Sequence, residues 1–278
     1  MKFQRVAIVG VGLLGGSLGM ALRSRGLAEQ VVGWGRRLET LEQALQLRAV
    51  DSIETDLQTA CSGADLVVVC TPVDLIIPHV QECLPSIAGD GLITDVGSTK
   101  QTICAHMADQ APHTFCGSHP LAGSDKSGVG FANPDLFEGR LTVITPHEQA
   151  PAELVARTEA LWQGVGSRTL RMSPSEHDRG VARTSHLPHI VAAALAAGTP
   201  EDLLPLAASG WCDTTRVAAG GVELWRQILL ENRQPVLEAL ELFAASLNPW
   251  LEALRQGNSQ QLELLLQAGK QQRDSVGN

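Results

Sequence analysis

A glycine-rich turn near the start of the chain sets what it can fold into. Phe3-Gln4-Arg5-Val6-Ala7-Ile8-Val9 reads as a short apolar strand. Gly10-Val11-Gly12-Leu13-Leu14-Gly15 follows at once, and Gly16 to Arg25 continues with helical patterning. A lone GxGxxG often marks only a turn; between a buried strand and a helix it marks a dinucleotide site. Gly10 permits the sharp turn, Gly12 lets the backbone approach a pyrophosphate, and Gly15 lets the helix pack tightly on the strand. Free N–H groups of Leu13, Leu14 and their neighbours, with the positive end of the helix dipole, then face the phosphates.

The second strand ends in Val31-Val32-Gly33-Trp34-Gly35-Arg36-Arg37. A site for NAD usually places an acid here, about 20 residues on, to accept from the ribose hydroxyls. Glycine stands in its place and two arginines follow. Without a carboxylate a 2'-phosphate is not repelled, and guanidinium groups match it with paired hydrogen bonds. The pattern therefore reads as NADP, with Arg36 and Arg37 as the phosphate ligands. The alternative is a solvated turn before the next helix. Trp34 either covers one face of the adenine or simply packs.

Strand and helix patterns alternate over the first ~165 residues, which argues for a parallel, doubly wound Rossmann-type sheet. Asp65 to Cys70, Gly91 to Val96, His113 to Ser118 and Gly139 to Thr145 read as strands. Leu38 to Arg48, Val73 to Leu84, Thr99 to Asp109 and about Ala150 to Gly164 read as helices. After Arg168-Thr169-Leu170 the strands stop. Ser173-Pro174-Ser175-Glu176 is a helix start with a Ser cap, an early Pro and an acid at the third position. Helical patterning runs to Ala197, with Pro188 bending it. It recurs at about 201–209, 222–231, 234–256 and 258–270. The expected class is α/β: a nucleotide-binding domain over 1–170, then an all-α domain over 171–278. Leu237, Leu240, Leu242, Phe243 and Leu247 exceed what a solitary bundle needs, so the helical half is expected to form a homodimer.

Composition narrows the partners. The net charge is −9 and no basic stretch is present, which argues against nucleic acid. No apolar run reaches the ~20 residues of a membrane span. The start leads straight into a strand, so no signal peptide is expected. The six cysteines lack CxxC spacing and sit mostly in apolar contexts, which suggests reduced thiols in a cytoplasmic protein. Tyrosine is absent, which excludes Tyr as a catalytic acid.

Ligands of a doubly wound sheet sit beyond the C-terminal strand ends. Thr71-Pro72 follows one strand and is expected to border the cofactor. Asp95-Val96-Gly97-Ser98-Thr99-Lys100 follows the next, and the stretch Gly117 to Gly128, opening Gly117-Ser118-His119-Pro120, follows the one after. His119, pinned by a proline, suits general-base work because its ordinary pKa lies near neutrality. Ser98 is a candidate hydroxyl partner, and Ser118 a candidate substrate contact. The helical half adds His177-Asp178, Ser185-His186-Leu187-Pro188-His189 and Asp213-Thr214-Thr215-Arg216. Arg216 is the candidate to grip a substrate carboxylate by paired hydrogen bonds. His186 and His189 share a helix face and are candidate donors to the substrate. No HExxH or acid-rich ligand set is present, so no metal is expected.

Gly117-Ser-His-Pro-Leu-Ala-Gly123, Asp95-Val-Gly-Ser-Thr-Lys100, Ser185-His-Leu-Pro-His189 and Asp213-Thr-Thr-Arg-Val-Ala218, in this order, resemble the prephenate/arogenate dehydrogenases of tyrosine synthesis. The resemblance spans roughly residues 4 to 270. It implies a dimer through the helical domain, a cyclohexadienyl substrate between the two domains, His119 as the catalytic histidine and Ser98 as its hydroxyl partner. It also implies Arg216 on a substrate carboxylate with His186 or His189 nearby, and no appended mutase or regulatory domain. Asp125, close after His119, would pair with the side-chain ammonium of arogenate, where prephenate has a ketone. NADP use and Asp125 favour arogenate; a surface acid paired with Lys126 is the plainer reading of Asp125. A β-hydroxy-acid dehydrogenase would rely on a helix-borne Lys, and the helical half has only Lys270. A non-catalytic NADP-sensing module would not need His119, Ser98 and Arg216 together.

Overall fold

The computed structural model describes residues 2–123 and 126–276. By compactness the chain divides into two units, Met1–Asn232 and Arg233–Asn278.

The first unit begins with five parallel strands, β1 (Phe3–Val9), β2 (Ala28–Trp34), β3 (Ser52–Glu54), β4 (Leu66–Val69) and β5 (Leu92–Asp95), in the order β3-β2-β1-β4-β5. Helices α1 (Leu13–Ser24), α2 (Leu38–Gln46), α3 (Leu57–Cys61) and α4 (Val73–Cys83) connect them, and α5 (Gln101–Gln110) follows β5. The central strands are continuous apolar runs because both faces are covered. Val6, Ile8 and Val68 face one core with Leu18 and Trp162; Ala7, Val9 and Val67 face the other with Ile76 and Phe115. Strand order reverses between β1 and β4, and a crevice for ligands opens at such a point.

A second sheet, β6 (Gly117–Pro120), β7 (Leu141–Thr145) and β8 (Arg168–Arg171), runs in the order β6-β7-β8. Here the parallel expectation is corrected: β6 pairs antiparallel with β7, while β7 and β8 are parallel around α6 (Ala152–Gly164). Among the described residues only a short 3-10 turn, Val129–Phe131, lies between β6 and β7. No helix carries the chain back along the sheet, so the return strand runs the opposite way.

The rest of the unit is helical: α7 (Pro174–Val181), α8 (Leu187–Ala197), α9 (Ser209–Thr215) and α10 (Val222–Glu231). Ser173 and Glu176 form the expected capping box at the start of α7. Between α7 and α8 the five residues Ala182–His186 form a π turn, immediately ahead of Pro188. A wider turn absorbs the ring and the missing N–H that an unbroken α-helix cannot.

The second unit contains α11 (Arg233–Ser246), α12 (Asn248–Gln256) and α13 (Ser259–Asp274). The single helix expected over 234–256 is two, because Pro249 sits in the first turn of α12. Leu242 and Leu254 are 57% and 64% exposed, and Leu237, Leu247 and Leu251 are also exposed, so apolar surface is left uncovered in one chain. Among the described residues, no helix is long and apolar enough to cross a membrane. All six cysteines are free thiols.

Candidate active site

The glycine turn closes the gap between β1 and β4. Gly10 has φ +99°, and a Cβ there would meet the Cys70 carbonyl oxygen at 2.9 Å and Thr71 Cγ2 at 3.0 Å. A Cβ on Gly15 would lie 2.2 Å from the Gly10 carbonyl oxygen, so only glycine lets α1 start this close to β1. A Cβ on Gly12 meets nothing within 4 Å: the turn faces open space. No side chain caps α1 at Gly12, so its first-turn N–H groups keep their capacity for an anion. These features fit a dinucleotide pyrophosphate. Arg36 and Arg37 are exposed, and no ion pair among the described residues holds either. Trp34 donates from Nε1 to the Thr55 carbonyl at 3.0 Å and meets His79 edge-on at 5.0 Å. Thr71 bonds His79 Nδ1 at 3.0 Å, and Pro72 stands at the start of α4.

A buried polar frame lies beyond β5. Asp95 and Lys100 are fully buried and paired, and Lys100 also donates to the Ser118 carbonyl at 3.1 Å. Asp95 accepts from Gly97 N at 2.8 Å and Ser118 N at 3.2 Å. Ser118 is 0% exposed; its hydroxyl donates to the Asp95 carbonyl at 2.6 Å and receives Trp162 Nε1 at 2.9 Å. Ser118, named above as a substrate contact, is thus consumed by the frame. Successive strand side chains point to opposite faces, so His119 emerges on the other side of β6.

There His119 Nδ1 lies 2.8 Å from His177 Nε2, and His177 Nδ1 lies 2.7 Å from Asp178 Oδ1. His177 and Asp178 are 1% and 3% exposed. The Asp178 carboxylate also accepts from Lys100 N at 2.8 Å and Gln101 N at 2.9 Å, at the start of α5. Charge there is favoured by the helix dipole. Asn232 donates to the Asp178 carbonyl at 2.8 Å and lies 3.1 Å from His186 Nδ1. The partner of His119 is therefore a histidine. The half-buried Ser98 makes no side-chain hydrogen bond among the described residues.

His186, buried at the end of the π turn, and His189 on α8 both reach Trp225: His186 edge-on, His189 stacked at 3.6 Å. His189 Nδ1 is buried with no partner among the described residues. Arg216 begins the short turn Arg216–Ala219, is exposed, and has no ion pair among the described residues. Asp125 lies outside the described residues.

Burial holds His119 well below the ordinary histidine range, and the nearby Lys100 ammonium adds to the effect. Burial likewise lowers His186 to about 4, with Asp178 opposing. The unfolded chain takes up these protons near about pH 6.5, so it binds more protons than the fold below that value. Stability from these neutral histidines is full above that pH and is lost as pH falls through their folded values. The thermal midpoint is therefore expected to drop between pH 7 and pH 5; a flat profile would contradict the burial of these rings.

Two family models run along the chain in series. The nucleotide-binding domain of prephenate dehydrogenase matches residues 18–171, and the dimerization domain matches 173–268. The chain belongs to the prephenate dehydrogenase family. It is 32% identical over 280 residues to the prephenate dehydrogenase of Bacillus subtilis (98% of this chain, 76% of that one). It is 32% identical over 255 residues to the cyclohexadienyl dehydrogenase of Zymomonas mobilis (88% and 86%). Its structure is similar to the A. aeolicus prephenate dehydrogenase in complex with hydroxyphenyl propionate and NAD+, with TM-score 0.93, 32% identity and 99% of each chain covered. The Synechocystis arogenate dehydrogenase matches with TM-score 0.85, 31% identity and coverage of 98% and 100%. In this chain the buried Asp95–Lys100 pair holds the backbone of Ser118, the residue before His119.

Proposed function

We propose that the chain is an NADP-dependent arogenate dehydrogenase that converts L-arogenate to L-tyrosine, working as a homodimer through its helical half. The observation that carries the dehydrogenase reading is His119, half-buried on β6 and backed by a buried histidine and carboxylate. The dimer is supported by the family's dimerization domain and by the exposed leucines of α11 and α12.

Oxidised nicotinamide supplies the hydride acceptor. His119 accepts the proton of the ring C4 hydroxyl as the C4 hydride departs, which leaves a ring ketone. The C1 carboxylate then leaves as CO₂, its bonding electrons aromatise the ring, and the phenol oxygen takes the proton back from His119. The ring is the electron sink. The chain's task is to place a base and a hydride acceptor on one carbon. Arg216 is assigned to a substrate carboxylate, Ser98 to the ring hydroxyl, and His189, with its unpartnered Nδ1, to a polar group of the substrate. Arg36 and Arg37 support NADP, because both are exposed beyond β2 where an NAD site carries an acid.

Prephenate is the second reading, favoured by relatives that carry its name. Initial rates with arogenate and prephenate, crossed against NADP and NAD, separate the two. Activity confined to arogenate with NADP is expected. Good turnover of prephenate would overturn the arogenate assignment and keep His119. A preference for NAD would make the two arginines a solvated turn. Dimerisation is read by light scattering, and a monomer at assay concentration would refute it.

A further inference from the structure

With His177 carrying a single ring proton, the hydrogen bonds running inward from His119 have one consistent assignment of protons. Asp178 is a carboxylate at the N-terminus of α5, receiving the Lys100 and Gln101 N–H groups at 2.8 and 2.9 Å. An ionised carboxylate only accepts, so at the 2.7 Å contact His177 Nδ1 must donate. Neutral His177 then carries its one proton on Nδ1 and shows a bare lone pair at Nε2. That lone pair faces His119 Nδ1 at 2.8 Å, so His119 must donate there. A neutral His119 with its proton on Nδ1 has its lone pair on Nε2, the nitrogen turned away from His177. The opposite tautomer of His177 would set a bare nitrogen against a carboxylate oxygen, two acceptors in contact.

We propose that His177, singly protonated and held by Asp178, is a positioning residue that locks His119 in the Nδ1–H tautomer and leaves Nε2 as the working base. The inference rests on the reading of His119 as the base. It gives the pair two effects. Before reaction they keep the proton-accepting nitrogen bare. During reaction the His119 imidazolium donates from Nδ1 into a histidine already polarised by a carboxylate, which favours the charged form as the carboxylate of a catalytic triad does. The arrangement follows from three neighbouring parts of the fold. The capping box at Ser173 and Glu176 starts α7. The first turns of α7 bury His177 and Asp178 together. The start of α5 supplies the two N–H groups that hold the carboxylate.

Two measurements test it. The first is the nitrogen-15 pattern of the His119 ring at neutral pH in wild-type protein, which needs no variant to fold. An Nδ1–H ring is expected; an Nε2–H ring overturns the proposal. The second compares kcat, KM and thermal midpoint for His177→Gln and His177→Leu. The glutamine carbonyl can accept from His119 Nδ1, and leucine cannot. Leucine is expected to lower kcat about 10²-fold, the scale of lost general-base help, with KM changed less than about threefold. Glutamine is expected to recover at least about tenfold of that loss. Equal kcat for the two variants, or kcat that only follows the thermal midpoint, would reduce His177 to packing. His119→Asn is the reference: if it stays active, the base reading fails. If it is inactive while His177→Leu turns over normally, only the positioning role fails.

Discussion

His119→Asn is expected to lower kcat by roughly 10²- to 10⁴-fold, the range lost with a positioned general base. KM should change little. Asparagine is a discriminating replacement because its amide nitrogen sits near the place of Nδ1 and can still donate to His177 Nε2, now 2.8 Å from the ring. The inward contact is kept and only the outer nitrogen is removed. The side chain is half-buried at the surface of β6, so thermal stability should stay close to wild type. In the wild-type enzyme the acid limb of kcat/KM should lie below the ordinary histidine range, since burial disfavours the imidazolium. Activity then appears as pH rises through that depressed value. A kcat within about tenfold of wild type for the asparagine variant would remove His119 from the reaction.

The glycine turn and the first sheet were legible because their signals are local. The buried runs of β1 and β4 and the GxGxxG turn leave one sensible arrangement, and that arrangement is present. The antiparallel pairing of β6 was not legible, because strand direction depends on a connection that carries no helix. The short β3 and α3 offer too few residues for a period to show. In the site, His119 was readable from its proline and its place after a strand. The sequence also exposed His177-Asp178 as a pair, but without a partner. Their meaning depends on α7 packing where β6 ends and α5 begins, 58 residues away in sequence from His119 to His177. Ser118 shows the reverse error. A hydroxyl beside a candidate base looks functional, yet strand alternation turns it inward onto Asp95 and Trp162.

The frame beneath β6 predicts the largest stability effect. Lys100→Met is expected to destabilise the first unit by about 3–5 kcal/mol, because it leaves the Asp95 carboxyl fully buried without the cation it is paired with. The two N–H groups from Gly97 and Ser118 remain but do not neutralise it. Native domains are stable by about 5–15 kcal/mol in total, so the variant should sit near the margin of folding. Asp95→Asn strands the ammonium on the Ser118 carbonyl and should cost a comparable amount. The double variant, Asp95→Asn with Lys100→Met, removes both charges of the pair, so it should be more stable than either single variant. Chemical denaturation of the three proteins reads this coupling. A single Lys100→Met within about 1 kcal/mol of wild type, or a double variant that is simply the sum of the singles, would mean the pair is not the brace of the site. If the pair is that brace, activity and stability should fall together in the single variants. The Ser118 backbone, held at both N–H and carbonyl by Asp95 and Lys100, is the residue from which His119 is hung.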